Sequence, residues 1–205
     1  MSTDLEEPRR GRPRDPAADE RIRQAAAQLL LEHGVDGTTV DAVAERAGVG
    51  KATVYRRWAS KDDLALAAIE TLLLREVQVP DTGSLRGDLT QVYRDLLTLA
   101  SGAEGHAFFR LAAAEAVRDP RIAALYRESL GRRLELCAPI FDRAVERGEL
   151  DPDADRQLMF DWPAGVIVLR VLIGSPLPDL EDAATLADAT LRGFARSSAA
   201  GGAAG

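Results

Sequence analysis

The chain has 205 residues, of which 46% are hydrophobic, and a formal net charge of −7. That composition supplies a packed core for one large domain or two small ones and excludes a disordered regulator. No apolar run reaches the roughly 18–20 residues a membrane helix needs, and no signal-peptide core opens the chain, so a soluble cytoplasmic protein is expected.

Residues 1–14 carry Arg9, Arg10, Arg12 and Arg14 with no acid between them. They form either a solvated tail or an arm that follows phosphates or enters a minor groove. Asp15 as cap and Pro16 at the first position predict a helix from Pro16 to His33. Ile22, Ala25, Ala26, Leu29 and Leu30 form its apolar stripe, and Gly34 stops it. Thr38 or Thr39 can cap the next helix; with Thr38 as cap, Asp41 takes the third helical position. Val40, Val43, Ala44 and Ala47 give that helix one buried face, and Gly48 ends it in a left-handed turn. Val49 plugs the angle between two helices, and Gly50 lets the second begin close to a partner. Lys51 to Trp58 is the second helix, with Val54 and Trp58 inward and Lys51, Ala52, Thr53, Tyr55, Arg56 and Arg57 outward. Five basic residues and no acidic one lie between Arg46 and Lys61. That layout is a helix-turn-helix whose second helix enters a DNA major groove while its flanks hold phosphates. Ser60 with Asp63 reads as a capping box opening a fourth helix.

Residues 17–66 resemble the DNA-binding domain of the tetracycline-repressor (TetR) family of bacterial transcription regulators. The resemblance lies in Gly37-Thr38-Thr39-Val40, in Ala44 to Val49 as AxxAGV, in Gly50 to Trp58, and in Ser60-Lys61 before an acidic pair and Leu64. It implies that Tyr55 touches DNA backbone and base and that Lys61 binds phosphate. The candidate DNA contacts are therefore Thr39, Gly50, Lys51, Ala52, Thr53, Tyr55, Arg56, Arg57 and Lys61. Two departures stand out: Trp58 where Phe is commoner, and Gly50 where Ser is frequent, which removes one hydroxyl from the phosphate side. Relatives also carry a GRPR arm like residues 11–14, which favours the DNA-binding reading of the N-terminus.

Further helices are predicted over 61–77, 85–100, 105–117, 120–147, 152–173 and 179–196, with a break at 80–84. Asp119-Pro120 and Asp151-Pro152 are cap-plus-proline starts, and Gly148 and Gly174 are stops. Pro139 and Pro163 are expected to kink or interrupt their helices, as a bend around the core or as a gap that admits a ligand. Nothing alternates with period two for long enough to be a strand. The expected fold is all-α: a three-helix helix-turn-helix domain over 15–60, a six-helix effector-binding and dimerisation domain over 61–196, and a disordered tail over 197–205.

The middle helices carry aromatic and leucine side chains that core packing accounts for first. The resemblance implies an effector pocket among them, with Tyr93, Leu97, His106, Phe108, Phe109, Tyr126, Phe141, Phe160 and Trp162 as candidate lining and Arg110 as a second polar anchor beside His106. Val166 to Ile173 is apolar almost all round, more than one monomer can bury. The resemblance pairs the last two long helices with those of a second subunit. A two-fold homodimer then sets two recognition helices about one DNA turn apart on a near-palindrome.

Charge divides along the chain. Residues 1–61 hold 11 Lys+Arg against 10 Asp+Glu, and the remainder 15 against 23, so the acidic excess lies away from the proposed DNA face. Cys137 stands alone, His33 and His106 are the only histidines, and no nucleophile–base pair or metal-ligand spacing is visible. An enzyme is therefore not expected, nor a cofactor, a metal site or a membrane partner. The reading is a homodimeric repressor released from double-stranded operator DNA by a small hydrophobic or amphipathic effector; the alternative is a DNA-binding regulator with no working pocket.

Overall fold

The computed structural model describes residues 16–73 and 78–194. The basic arm, the Asp15 cap, the end of the fourth helix at 74–77 and the tail expected over 197–205 lie outside the described residues. Among those described there is no strand, and the helices are α1 (Pro16–Gly37), α2 (Val40–Arg46), α3 (Lys51–Tyr55), α4 (Lys61–Leu73), α5 (Leu85–Ser101), α6 (Ala103–Arg118), α7 (Pro120–Glu146), α8 (Arg156–Ile173) and α9 (Ala183–Phe194). None is long and apolar enough to cross a membrane.

Gly34, Gly48, Gly148 and Gly174 all hold positive φ, between 65° and 71°, as their expected role as stops requires. At Gly34 the backbone turns out of helical geometry, and a short turn carries α1 on to Gly37. Asp119 caps α7 through the Arg121 N–H, with Pro120 first in the helix.

Two expected helix starts need correction, and of the two outcomes expected at the internal prolines interruption drops out. Asp151-Pro152 does not start α8: the Asp151 carboxylate accepts from the Asp153 N–H (2.9 Å) and closes a turn. Asp155 is the cap instead, accepting from the Leu158 N–H (2.9 Å), because it sits three residues ahead of a free helical donor. Residues 179–182 form a single 3₁₀ turn held by a reciprocal Asp179–Asp182 capping box, so α9 begins at Ala183. Neither Pro139 nor Pro163 interrupts its helix. Burial of the faces around them outweighs one lost backbone bond apiece, since tertiary packing carries most helical stability.

Two cores hold the molecule. The first lies under α1–α4: Ile22, Leu29 and Leu30 of α1 meet Val43 and Val54 and the Leu64–Ile69–Leu72 face of α4. Phe108 and Leu111 of α6 and Ile122 of α7 enter the same core. The second unites α5, α7, α8 and α9 through Leu89, Tyr93, Leu97, Phe141, Met159, Ile167 and Ala187. Phe109 packs against both. Because α4 shares its core with α1–α3 and α6 plugs into it, displacement of α6 has a packed route to α4.

Candidate nucleic-acid interface

Thr39 is the α2 cap, its hydroxyl accepting from the Ala42 N–H (3.2 Å). Asp41 therefore occupies the second helical position. Thr38 is buried and donates its hydroxyl to the Gly34 carbonyl (2.7 Å), fastening the end of α1 to the start of α2. After Ala47 the chain turns at Gly48, and the Val49 N–H returns to the Ala44 carbonyl (3.0 Å). This bond closes the angle between α2 and α3 with Val49 packed beneath.

The second helix is shorter than expected. Regular α-helix covers Lys51–Tyr55; the Trp58 N–H still reaches the Val54 carbonyl (3.0 Å), while the Arg57 N–H takes the same acceptor one residue tighter (2.9 Å). Val54 is its one fully buried side chain, and Trp58 packs at the edge of the core. Gly50, the α3 cap, offers no side chain to satisfy the first turn. Ser60 caps α4, accepting from the Asp63 N–H (3.1 Å) and donating to the Asp63 carboxylate (2.8 Å).

Gly50, Lys51, Ala52, Tyr55 and Arg56 are exposed together, Thr53 partly so, with Thr39 exposed at the start of α2. Tyr55 is 48% exposed, unusual for an aromatic residue with core beside it. Four of the five basic side chains have distinct partners. Arg46 forks onto both Glu32 oxygens (2.6 and 2.9 Å), and the bond lowers the Glu32 pKa. Lys51 meets Asp41 (2.8 Å), which raises its pKa, with both groups open to solvent. Lys61, half-buried, donates to the Asp36 carbonyl (3.1 Å). Arg57 turns inward to Asp19 and to the Thr53 carbonyl (3.0 Å), leaving its side chain 8% exposed. Of these five, Arg56 alone has no ion pair or hydrogen bond from its side chain among the described residues. The sequence reading groups Arg57 with the outward side chains; the structure sets it apart from them. It also missed Glu32 and Asp19, whose roles leave no local signal in the sequence.

The candidate pocket residues fall into three places. Tyr93, Leu97 and Phe141 are buried in the second core, with Phe160 packed against it. The Tyr93 hydroxyl lies 3.1 Å from Thr190 Oγ1 and 3.3 Å from the Met159 carbonyl, and burial pushes its pKa up to about 12. Phe108, Phe109 and Tyr126 cluster between α6 and α7, with Phe108 ring centroids 5.5 Å from Phe109 and 6.0 Å from Tyr126. The Tyr126 oxygen is buried without a hydrogen-bond partner among the described residues, and desolvation raises its pKa. His106 is half-buried in the first turn of α6, and Arg110 is exposed. Trp162 is 39% exposed on the outer face of α8, remote in character from the other two groups.

That face of α8 is the second uncovered surface. Leu158, Trp162, Leu169, Leu172 and Ile173 all stand exposed along one stripe, while Met159, Pro163, Ile167 and Val171 bury the opposite one.

Residues 22–68 match the model of bacterial regulatory proteins of the tetR family, and residues 79–190 match that of the tetracyclin repressor-like C-terminal domain. YdeS, an uncharacterised HTH-type transcriptional regulator of Bacillus subtilis strain 168, is 34% identical over 166 residues, 80% of this chain and 83% of its own. The DNA-binding transcriptional repressor TetR of Mycobacteroides abscessus is 33% identical over 155 residues, 75% of this chain and 82% of its own. The crystal structure of the TetR-family regulator SCO0332 superposes with a TM-score of 0.62 at 30% identity, covering 86% of this chain and 97% of that one.

Proposed function

The chain belongs to the tetracycline-repressor family of bacterial transcription regulators, and on that premise we propose that it is a homodimeric repressor that reads a near-palindromic operator and leaves it when a small effector binds. The observation that carries the DNA-binding part is the exposed α3 face, where Lys51, Ala52, Tyr55 and Arg56 project from a helix anchored inward by Val54. A recognition helix in the major groove uses such side chains for base edges, while cations at its flanks hold phosphates. Work on DNA places the protein in the bacterial cytoplasm.

The apolar stripe of α8, with Ile173 65% exposed, is the surface through which a second copy pairs, α9 lying beside it. For the effector, the Phe108–Phe109–Tyr126 cluster is the favoured site within the wider set of candidates. It joins aromatic surface to a buried hydroxyl that lacks a partner among the described residues, the makeup of a site for an apolar molecule with one hydrogen-bond acceptor. The alternative, regulation without an effector, draws support from Tyr93, Leu97 and Phe141 being fully packed.

Effector binding there would act on α6, whose Phe108 and Leu111 are part of the core that holds α4. Two ion pairs cross the same junction, Arg118 to Asp36 (3.1 Å) and Arg121 to Asp63 (3.3 Å). Swinging the dimer from one form to the other needs about 5.5 kcal/mol of preference for the released form.

Selection of bound fragments from a random duplex pool, at two salt concentrations, tests the DNA reading. An enriched near-palindrome with steeply salt-dependent binding is the expected result; unselective binding overturns it. For the effector, saturation at 100 times the dissociation constant raises stability by about 2.7 kcal/mol, readable as a thermal shift that Tyr126→Phe diminishes. A broad apolar panel without a hit favours the effector-free alternative.

A further inference from the structure

Arg57 lies two residues past the recognition helix, next to the exposed Arg56. Its own guanidinium turns inward. The Nε donates to Asp19 in the first turn of α1, and Nη1 donates back to the Thr53 carbonyl (3.0 Å). One side chain thus satisfies a carbonyl at the C-terminal end of α3 and ties that end to a different helix. The rest of α3 has little else to fix it: five residues, one buried side chain and no side-chain cap at Gly50. Lys51 gives the contrast at the other end of the helix. Its pair with Asp41 is solvent-exposed on both sides, so its ammonium can exchange carboxylate for phosphate at little cost. For Arg57 the same exchange would pull a buried guanidinium out of its place, leave the part-exposed Asp19 without its partner and free the end of α3.

Resting on the DNA-binding function proposed above, we propose that Arg57 is a positioning residue for operator recognition: with Asp19 it sets the angle at which α3 meets the groove, and it does not neutralise a phosphate. The two roles differ in sign. If electrostatics alone governed this site, removing the Asp19 charge would tighten binding to a polyanion. If the pair positions α3, removing that charge loosens binding. The roles also differ in salt dependence, because each lost phosphate contact lowers the slope of log affinity against log salt by about 0.9, whereas a misplaced helix shifts the line without tilting it.

The experiment measures operator affinity across a salt series for the full-length dimer and for Asp19→Asn, Arg57→Lys, Arg57→Ala and, as the phosphate-contact control, Arg56→Ala. Melting temperature and dimer mass are recorded for each, and the isosteric Asp19→Asn keeps the test alive if Arg57→Ala is poorly folded. Asp19→Asn and Arg57→Lys are each expected to weaken binding about tenfold along lines parallel to the wild type, since lysine keeps the charge but not the fork that holds both acceptors. Arg56→Ala should flatten the slope. Unchanged or tighter binding by Asp19→Asn overturns the proposal, as does an Arg57→Ala line flatter by about one unit with Arg57→Lys normal. A wild type that selects no operator removes the DNA-binding reading and this role with it; a selective wild type with an indifferent Asp19→Asn confines the failure to the pair.

Discussion

The protein leaves two surfaces uncovered, and they are opposite in kind. The α3 face carries cations, a phenol and small residues, and its Arg56 and Lys51 are at ease in water until a polyanion replaces the counterions around it. The α8 stripe carries Leu158, Trp162, Leu169, Leu172 and Ile173, which gain nothing from water and much from a matching apolar surface. The first can wait uncovered in a monomer; the second is a standing cost that a two-fold partner would remove. In the proposed function, one surface supplies recognition and the other the symmetry that doubles it.

The largest effect should come from breaking that symmetry. Leu169→Glu places a carboxylate at the exposed centre of the α8 stripe, and a two-fold axis would bury the charge twice. The variant should sediment as a monomer at concentrations where the wild type is a dimer. Its operator affinity should fall by about 10²–10⁴, the gain that linking two half-site contacts provides. A dimeric Leu169→Glu with normal affinity would move the interface off α8.

Substitutions on α3 come next, and they should leave the dimer intact. Tyr55→Ala should cost about 10–100-fold and relax base preference near its contact, in line with about 1–3 kcal/mol for a base-reading side chain. Arg56→Ala should weaken binding more evenly across sequences and lower the salt slope by about one. Equal behaviour of the two variants across operator sequences would mean that neither reads a base.

How far the sequence could foretell these surfaces differs between them for a physical reason. The helices, the Gly48 turn and the inward valines of α2 and α3 follow from periodicity and backbone preference, which are local, and apart from the starts of α8 and α9 and the shorter α3 they appear where the spacing sets them. The apolar α8 stripe is likewise a property of one helix. What spacing could not reveal is which charge finds which partner. Arg57 meets Asp19 across 38 residues and Arg46 meets Glu32 across 14, so cations that look alike in a basic run differ in how far they are committed. Asp88 is the same lesson in the C-terminal part. It is fully buried and accepts from the Thr82 N–H (2.6 Å) and hydroxyl (2.7 Å), a role that its place in an amphipathic helix does not signal. The candidate pocket was the least legible part, because a residue that fills a core and one that lines a cavity are chemically identical. Tyr93 and Tyr126 illustrate this: the same residue type, one hydroxyl with neighbours to bond and one without among the described residues.

Lys61 offers the smallest and finest test of the contrast between committed and free charges. Its ammonium stands at the start of α4 and gives one hydrogen to the Asp36 carbonyl, yet an ammonium has three to give. Two therefore stay available for a phosphate while the first holds the α1–α2 junction. Lys61→Ala removes both functions and should weaken operator binding a fewfold while lowering the salt slope by about one. Lys61→Gln keeps a donor that can reach the carbonyl but carries no charge, so it should restore the melting temperature without restoring the slope. If glutamine restores affinity in full, Lys61 serves the fold alone, and the phosphate-holding charge belongs to Lys51 and Arg56.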